Sequence, residues 1–245
     1  MATDSFPFGS QQIDGQAPQT PQSFYPPSED FKRAVESALD EVLLDRVFDA
    51  VWKKTFHYFT TFESIDGFST SGATVTLTEI QLELITGAVS TNFANVKKEP
   101  DLLAQTTFSQ PSRFRTTFEI PQVTAQTIYL TIGHVASGAQ GYGFKIVNNE
   151  LFGVTDDGTT ESTVSLVTGM TATARRNIEA RYTPGEKVVF FENSIEKGVL
   201  TTNLPSPAVL VNDKLFEFRI TTNAAAAKTL RASYVEYFQR RDILQ

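Results

Sequence analysis

Residues 141–158 read GYGFKIVNNELFGVTDDG. Two runs rich in aromatic and β-branched residues flank an Asn-Asn pair at positions 148–149, and an Asp-Asp-Gly cluster follows at 156–158. Asparagine and glycine tolerate the positive φ angles that tight two-residue turns require. The stretch therefore predicts a β-hairpin with its turn at residues 148–149 and a second turn directly after it.

The same pattern of short strands and turn residues extends over most of the chain. From Phe56 onward apolar residues recur with a period of two, and glycine or proline separates the runs. About a dozen strands with few helical intervals indicate a mainly β fold of two packed antiparallel sheets. The predicted strands cover residues 73–77, 79–84, 112–120, 127–135, 142–147, 150–155, 162–167, 177–182, 187–192, 199–202, 215–221 and 229–238.

The segment before this β region has a different composition. Residues 1–27 are rich in Pro and Gln and poor in aliphatic residues, which predicts an extended arm that becomes ordered on a partner. Four aromatic residues interrupt it, and we expect them to anchor the arm on another surface. These attachment residues are Phe6, Phe8, Phe24 and Tyr25.

Residues 28–55 predict one amphipathic α-helix between the arm and a β-sandwich domain over residues 56–245. Ser28 is suited to the N-cap, and apolar residues recur at steps of three and four. The sequence leaves open whether the apolar face packs on its own sandwich, on copies of the chain or on a host assembly. This contact face comprises Phe31, Val35, Leu39, Val42, Val51 and Trp52.

Composition excludes several classes of function. The formal net charge of −7, with dispersed Lys and Arg, argues against a nucleic-acid partner. Cysteine is absent, so disulfides and thiolate chemistry are excluded. No apolar run approaches the roughly 18 residues of a membrane-spanning helix. The first residues carry neither the basic nor the apolar region of a Sec signal, so we expect assembly in a cytoplasm.

Several short motifs occur in an order that resembles a known family. They are TIGH at 131–134, GYGFKI at 141–146, LFGVT at 151–155, IEA at 178–180, PGEKVVFF at 184–191 and TNLP at 202–205. Over about residues 57–240 the chain resembles the concanavalin A-like, or laminin G-like, jelly-roll sandwich of structural proteins of tailed viruses (phages). The resemblance implies a binding or structural sandwich on a particle surface, often with sugar recognition.

No residue constellation indicates an enzyme, a metal site or a cofactor. The chain has two histidines and no Gly-x-Ser-x-Gly nucleophile motif. Glycoside hydrolases of the laminarinase type carry a Glu-x-Asp-x-x-Glu strand, which Glu79 and Glu83 do not reproduce. The acids at 156, 157 and 161 lack the ligand spacing of a calcium loop.

Carbohydrate binding without catalysis needs only exposed aromatic platforms and a few polar groups. Tyr129, Tyr142, Phe144 and Phe152 are candidate platforms, although most of the 20 Phe residues must fill the space between the sheets. We take Tyr142 and Asn193 as candidate glycan contacts.

These observations favour a virion structural protein: a capsid decoration, a head fibre or a tail-associated adhesin on the virion surface. The arm and helix would attach it to other virion proteins or form a homo-oligomer, and the sandwich would face outward toward a host-surface glycan. One alternative is a carbohydrate-binding module for host or polysaccharide recognition. Another alternative is a glycoside hydrolase.

Overall fold

The computed structural model describes residues 55–64, 68–78, 81–98, 107–207 and 215–240. The predicted arm and almost all of the predicted helix lie outside the described residues. The same is true of every residue proposed for attachment or for the helix contact face: Phe6, Phe8, Phe24, Tyr25, Phe31, Val35, Leu39, Val42, Val51 and Trp52. Those assignments stay predictions.

The described residues form strands joined by turns and loops, with one short 3-10 helix at Val135–Ser137. In chain order the strands are β1 Thr55–Thr60, β2 Phe68–Gly72, β3 Thr74–Thr78, β4 Gln81–Ile85, β5 Phe93–Lys98, β6 Ser112–Glu119, β7 Gln126–Gly133, β8 Gly141–Val147, β9 Glu150–Asp156, β10 Glu161–Val167, β11 Arg176–Thr183, β12 Lys187–Glu192, β13 Ile195–Leu200, β14 Phe216–Thr222 and β15 Thr229–Arg240.

Within the described ranges the strands make two antiparallel sheets, as the sequence predicts. The seven-stranded sheet has the order β10-β9-β8-β7-β14-β5-β2. The eight-stranded sheet has the order β13-β12-β11-β6-β15-β4-β3, with β1 beside the second half of β15. The long strand β15 pairs with β6 along one edge and with β4 and then β1 along the other.

The hairpin predicted from residues 141–158 is confirmed. Strands β8 and β9 pair in a register that sets Val147 opposite Glu150, and Asn148 has a φ of 55° in the turn between them. Strand β10 then pairs with β9, so the second predicted turn also reverses the chain.

The other predicted strands agree with the observed ones to within a few residues, with one exception. The strand predicted at 199–202 begins earlier, at Ile195, because Asn193 and Ser194 have φ angles of 49° and 66° and form a tight hairpin turn. Strands β1, β2 and β5 were not predicted. β1 begins at Thr55, the last residue of the predicted helix, so the helix cannot extend to that position.

An aromatic series fills the space between the two sheets. From β12 to β14 it consists of Phe190, Phe144, Phe114, Phe218 and Phe216. Successive ring centroids lie 5.6, 6.4, 6.3 and 5.2 Å apart. The first four rings come alternately from the eight-stranded and the seven-stranded sheet, so the series holds the sheets together. Gly153 makes room for it, because a Cβ there would lie 2.5 Å from the Phe190 ring.

A second buried cluster contains tyrosines. The rings of Tyr142 and Tyr182 stack with centroids 5.1 Å apart, and the Tyr142 hydroxyl lies 2.7 Å from Ser112 Oγ. The Tyr182 hydroxyl is 2.9 Å from the carbonyl oxygen of Phe108 and 3.0 Å from that of Pro205. Burial raises the pKa of Tyr182 to about 12 and also raises those of Tyr142 and Tyr237.

This cluster predicts a loss of stability in alkaline solution. Unfolded phenols ionise near pH 10, whereas the folded core keeps them protonated, so the free energy of unfolding falls as pH rises from 10 toward 12. For Tyr182 alone the loss reaches at most about 2.7 kcal/mol. Urea denaturation followed by circular dichroism between pH 8 and 11.5 measures it.

Tyr182→Phe should lower stability at pH 8, through the lost hydrogen bonds, and should flatten the decline above pH 10. Tyr234→Phe, at a half-buried position outside the cluster, is the control and should leave the decline unchanged. An equally steep decline in Tyr182→Phe would contradict this account of the cluster.

Candidate functional site

The outward face of the seven-stranded sheet carries the candidate site. On β14, Phe216, Phe218 and Ile220 are buried in the core. Because side chains alternate along a strand, Glu217 and Arg219 lie on the opposite face. The strand register aligns residues of five neighbouring strands on that face, which we call the cross-strand row. It consists of Phe152, Lys145, Tyr129, Arg219 and Asn95.

Glu161 fixes the middle of the row. Lys145 Nζ lies 2.6 Å from Glu161 Oε1, and the Tyr129 hydroxyl donates a hydrogen bond of 3.0 Å to Glu161 Oε2. Lys145 Nζ also lies 5.1 Å from the centre of the Tyr129 ring. These contacts hold the half-buried Tyr129 ring in one orientation, as a binding platform requires.

The pKa values of this group follow from its surroundings. Burial raises the pKa of the Tyr129 phenol. For Lys145, burial lowers the pKa, but the hydrogen bonds to Glu161 and Tyr129 outweigh burial and raise it overall. Lys145 therefore stays charged and Tyr129 stays a neutral hydroxyl at physiological pH.

Arg219 has donor groups that no carboxylate occupies among the described residues. Its guanidinium lies over Phe93, 4.5 Å from the ring centre, and Nη1 is 3.4 Å from the carbonyl oxygen of Ala136. The other strand arginines whose side chains are described all form ion pairs with glutamates: Arg113, Arg115, Arg176, Arg181 and Arg231. Arg219 can therefore donate to a ligand without breaking an ion pair.

Two buried acceptors lie at the Asn95 end of the row, one on Asn95 itself and one on Glu217 of β14. Asn95 Nδ2 donates a hydrogen bond of 2.6 Å to Glu217 Oε1, which also lies 3.7 Å from Lys97 Nζ. Asn95 is 2% exposed and Glu217 is 0% exposed, yet Asn95 Oδ1 and Glu217 Oε2 have no hydrogen-bond donor within the described structure. An unmet buried acceptor costs about 1–3 kcal/mol, so such atoms normally bind water or a ligand donor.

This arrangement suits a ligand with hydroxyl groups. Ligand oxygens can accept hydrogen bonds from Arg219, and the half-buried Tyr129 ring offers an apolar face. Asn95 Oδ1 and Glu217 Oε2 are buried beneath this surface. Strand β14 presents Glu217, Arg219 and Thr221 on this face.

A cleft of about 540 Å³ opens beside β1 and β2. Its lining includes the exposed ring of Phe59 together with Glu63, Phe68 and Lys98. None of the described buried polar atoms that lack a hydrogen-bond partner lies in this lining. The cross-strand row is therefore the stronger candidate site.

The sequence-predicted contact residues are separated by the fold. Tyr142 is completely buried and its hydroxyl contacts Ser112, so it is a core residue that a glycan cannot reach. Phe144 is also in the core. Asn193 is exposed, but it occupies the β12–β13 turn of the eight-stranded sheet, and its glycan contact stays a prediction.

Two of the predicted platforms do lie in the row, namely Tyr129 and Phe152. Sequence reasoning missed the polar members of the site, Lys145, Arg219 and Asn95, together with Glu161 and Glu217. The alternation in residues 216–222, FEFRITT, was the available signal, because it places Glu217 and Arg219 on the face opposite the phenylalanines.

The acids at the end of β9 and directly after it act as turn residues. Asp156 Oδ1 accepts a 2.7 Å hydrogen bond from the Gly158 N–H, and burial raises the pKa of its carboxyl. Hydrogen bonds from Thr159 and Thr160 lower the pKa of Asp157.

The described part of the chain contains no group of three side chains suited to a metal ion. Nor does a helix in that part have the length and apolarity needed to cross a membrane.

Comparison with known proteins identifies the fold. No protein-family model and no curated protein matches the chain. Among solved structures it is similar to a protein of unknown function from Shewanella oneidensis MR-1, with a TM-score of 0.54 and 12% identity, covering 77% of this chain and 87% of that one. A β-1,3-1,4-glucanase (lichenase) from a mouse hindgut metagenome gives 0.56 and 8%, covering 74% and 98%.

A third neighbour is botulinum neurotoxin type C, whose cell entry depends on interaction with two ganglioside molecules. The TM-score is 0.55 at 8% identity, over 80% of this chain and 50% of the neurotoxin chain. This chain thus spans about half the length of that neighbour. These neighbours are jelly-roll β-sandwich domains, in agreement with the predicted concanavalin-like architecture.

Proposed function

We propose that this chain is a carbohydrate-binding protein without catalytic activity, and that it serves as a virion structural protein. Its sandwich binds a glycan across the cross-strand row. The observation that carries this proposal is the combination of the half-buried Tyr129 ring, held by Lys145 and Glu161, with the guanidinium of Arg219, which pairs with no carboxylate among the described residues.

The geometry of the row gives each residue a role. Arg219 donates to ligand oxygens, and the Tyr129 ring packs against a sugar face. Lys145 and Glu161 hold that ring in position through their contacts of 2.6 and 3.0 Å. Two of the structural neighbours, the lichenase and the ganglioside-dependent neurotoxin, act on or interact with carbohydrate-containing molecules, which supports the choice of ligand class.

The virion role is supported by the ordered motif resemblance and by the composition of the N-terminal segment. Residues 1–27 combine Pro and Gln with four aromatic residues, which suits attachment to other virion proteins. The protein would then be assembled in the host cytoplasm, occupy the virion surface and display its sandwich to a host-surface glycan.

Glycan binding predicts a defined pattern of mutational effects. The full chain should bind at least one class of glycan on an array. Arg219→Gln should weaken that binding about 10- to 100-fold, because the substitution removes a charged hydrogen-bond donor worth about 1.5–3 kcal/mol. Tyr129→Ala should weaken it by a similar amount. Isothermal titration calorimetry with the best ligand measures both effects.

Matched controls come from the other sheet. Arg231→Gln removes an arginine that pairs with Glu83 and Glu119, and Tyr234→Ala removes a half-buried tyrosine on β15. Both should bind glycan as the wild type does. No binding to any glycan, or equal binding by Arg219→Gln and wild type, would contradict the proposed site. Release of reducing ends from the ligand would instead favour the hydrolase alternative.

The attachment claim predicts that residues 55–245 alone fail to enter particles. Tagged full-length and truncated chains are produced during infection, and purified virions are probed for each. The truncated chain should be absent from virions while keeping the β-sheet circular dichroism and glycan affinity of the full chain. Equal incorporation of a folded truncated chain would overturn the attachment role of residues 1–54.

A further inference from the structure

Two edge strands on one side of the sandwich, β2 and β3, contain no charged residue. Strands β2 and β3 lie at the ends of their respective sheets within the described structure, and residues 68–78 join them as FSTSGATVTLT. This stretch contains no Asp, Glu, Lys, Arg or Pro, although 20% of the chain is charged. Exposed edges of this kind pair readily with another strand, because charges, prolines and bulges normally block such pairing.

The opposite edges are protected. Strand β13 carries Glu196 and Lys197, and its pairing with β12 shifts register at residues 190–191. Strand β10 begins at Glu161 and has an irregular register with β9 between Ser165 and Val167. The contrast indicates that the β3 side is the one suited to pairing.

Strand β3 is also self-complementary. Its sequence, Thr74 to Thr78, reads TVTLT, with the threonines exposed and Val75 and Leu77 half-buried against the core. An antiparallel pair of two copies centred on Thr76 would set threonine opposite threonine and Val75 opposite Leu77. Threonine pairs and apolar pairs directly opposite each other both stabilise a sheet, each by about 0.2–1 kcal/mol.

We propose that β3 pairs with β3 of a second copy of this chain about a two-fold axis at Thr76. The two eight-stranded sheets would then form one continuous sheet. A second copy is the occupant that the palindromic pattern favours, because an interface on a two-fold axis must be complementary to itself. Strand β2 is less suited, because it has one apolar residue, Phe68, and ends at Gly72 with a φ of 92°.

The absence of cysteine allows a direct test of both the partner and the register. Residues directly opposite each other in an antiparallel pair have Cα atoms about 4.5–5.5 Å apart, within the range of a disulfide. In full-length Thr76→Cys, the two new thiols would face each other across the axis and form a disulfide-linked dimer under mild oxidation. In Thr74→Cys the two thiols would be about 13 Å apart, too far to react.

The control is Thr163→Cys, an exposed threonine on the edge strand β10 of the other sheet. Non-reducing gels should show at least tenfold more covalent dimer for Thr76→Cys than for Thr163→Cys or Thr74→Cys. A mixture of Thr74→Cys and Thr78→Cys should cross-link, since these positions oppose each other in the proposed register. Thermal melts under reducing conditions confirm that each variant is folded.

Two results would overturn the proposal. One is a yield of Thr76→Cys dimer no greater than that of Thr163→Cys, which would mean that β3 does not meet its copy. The other is equal cross-linking by Thr74→Cys alone, which would mean random collision or a different register. Thr76→Lys, which would place two like charges opposite each other, should reduce the dimer seen by sedimentation velocity.

Discussion

The aromatic series between the sheets is the interaction on which the rest of the structure depends. Phe190, Phe144, Phe114 and Phe218 alternate between the two sheets, with ring centroids 5.6–6.4 Å apart. Because side chains alternate along a strand, burial of these rings determines which residues face outward. On β14, burial of Phe216 and Phe218 places Glu217 and Arg219 on the outer face. The candidate site is thus a consequence of the core.

The two outward faces differ in how their charges are satisfied. On the eight-stranded sheet, Arg115 bridges Glu179 and Glu236, and Arg231 bridges Glu83 and Glu119. Such partly exposed ion pairs contribute little to stability, but they leave no carboxylate or guanidinium in the network without a partner. Among the described residues, the seven-stranded sheet instead combines an arginine that has no carboxylate partner with buried acceptors that have no donors. This difference is why we place ligand binding there.

Local patterns in the sequence predicted much of this fold. The hairpin at residues 141–158 could be predicted because its turn residues and strand alternation lie close together. Strand β2, FSTSG, has one apolar residue and gives no alternating signal. The site was harder to predict, since it joins residues of five strands whose register depends on long-range pairing. Tyr142 shares its strand face with Phe144 and Ile146, so alternation alone could have placed it in the core.

The central claim is that a glycan binds across the cross-strand row, and residue-resolved NMR titration of the full chain with its best glycan ligand tests it most directly. We predict that the largest shift changes fall on Tyr129, Lys145, Phe152, Arg219 and the side-chain amide of Asn95. Changes confined to the Asn193 turn or to the eight-stranded sheet would contradict the claim.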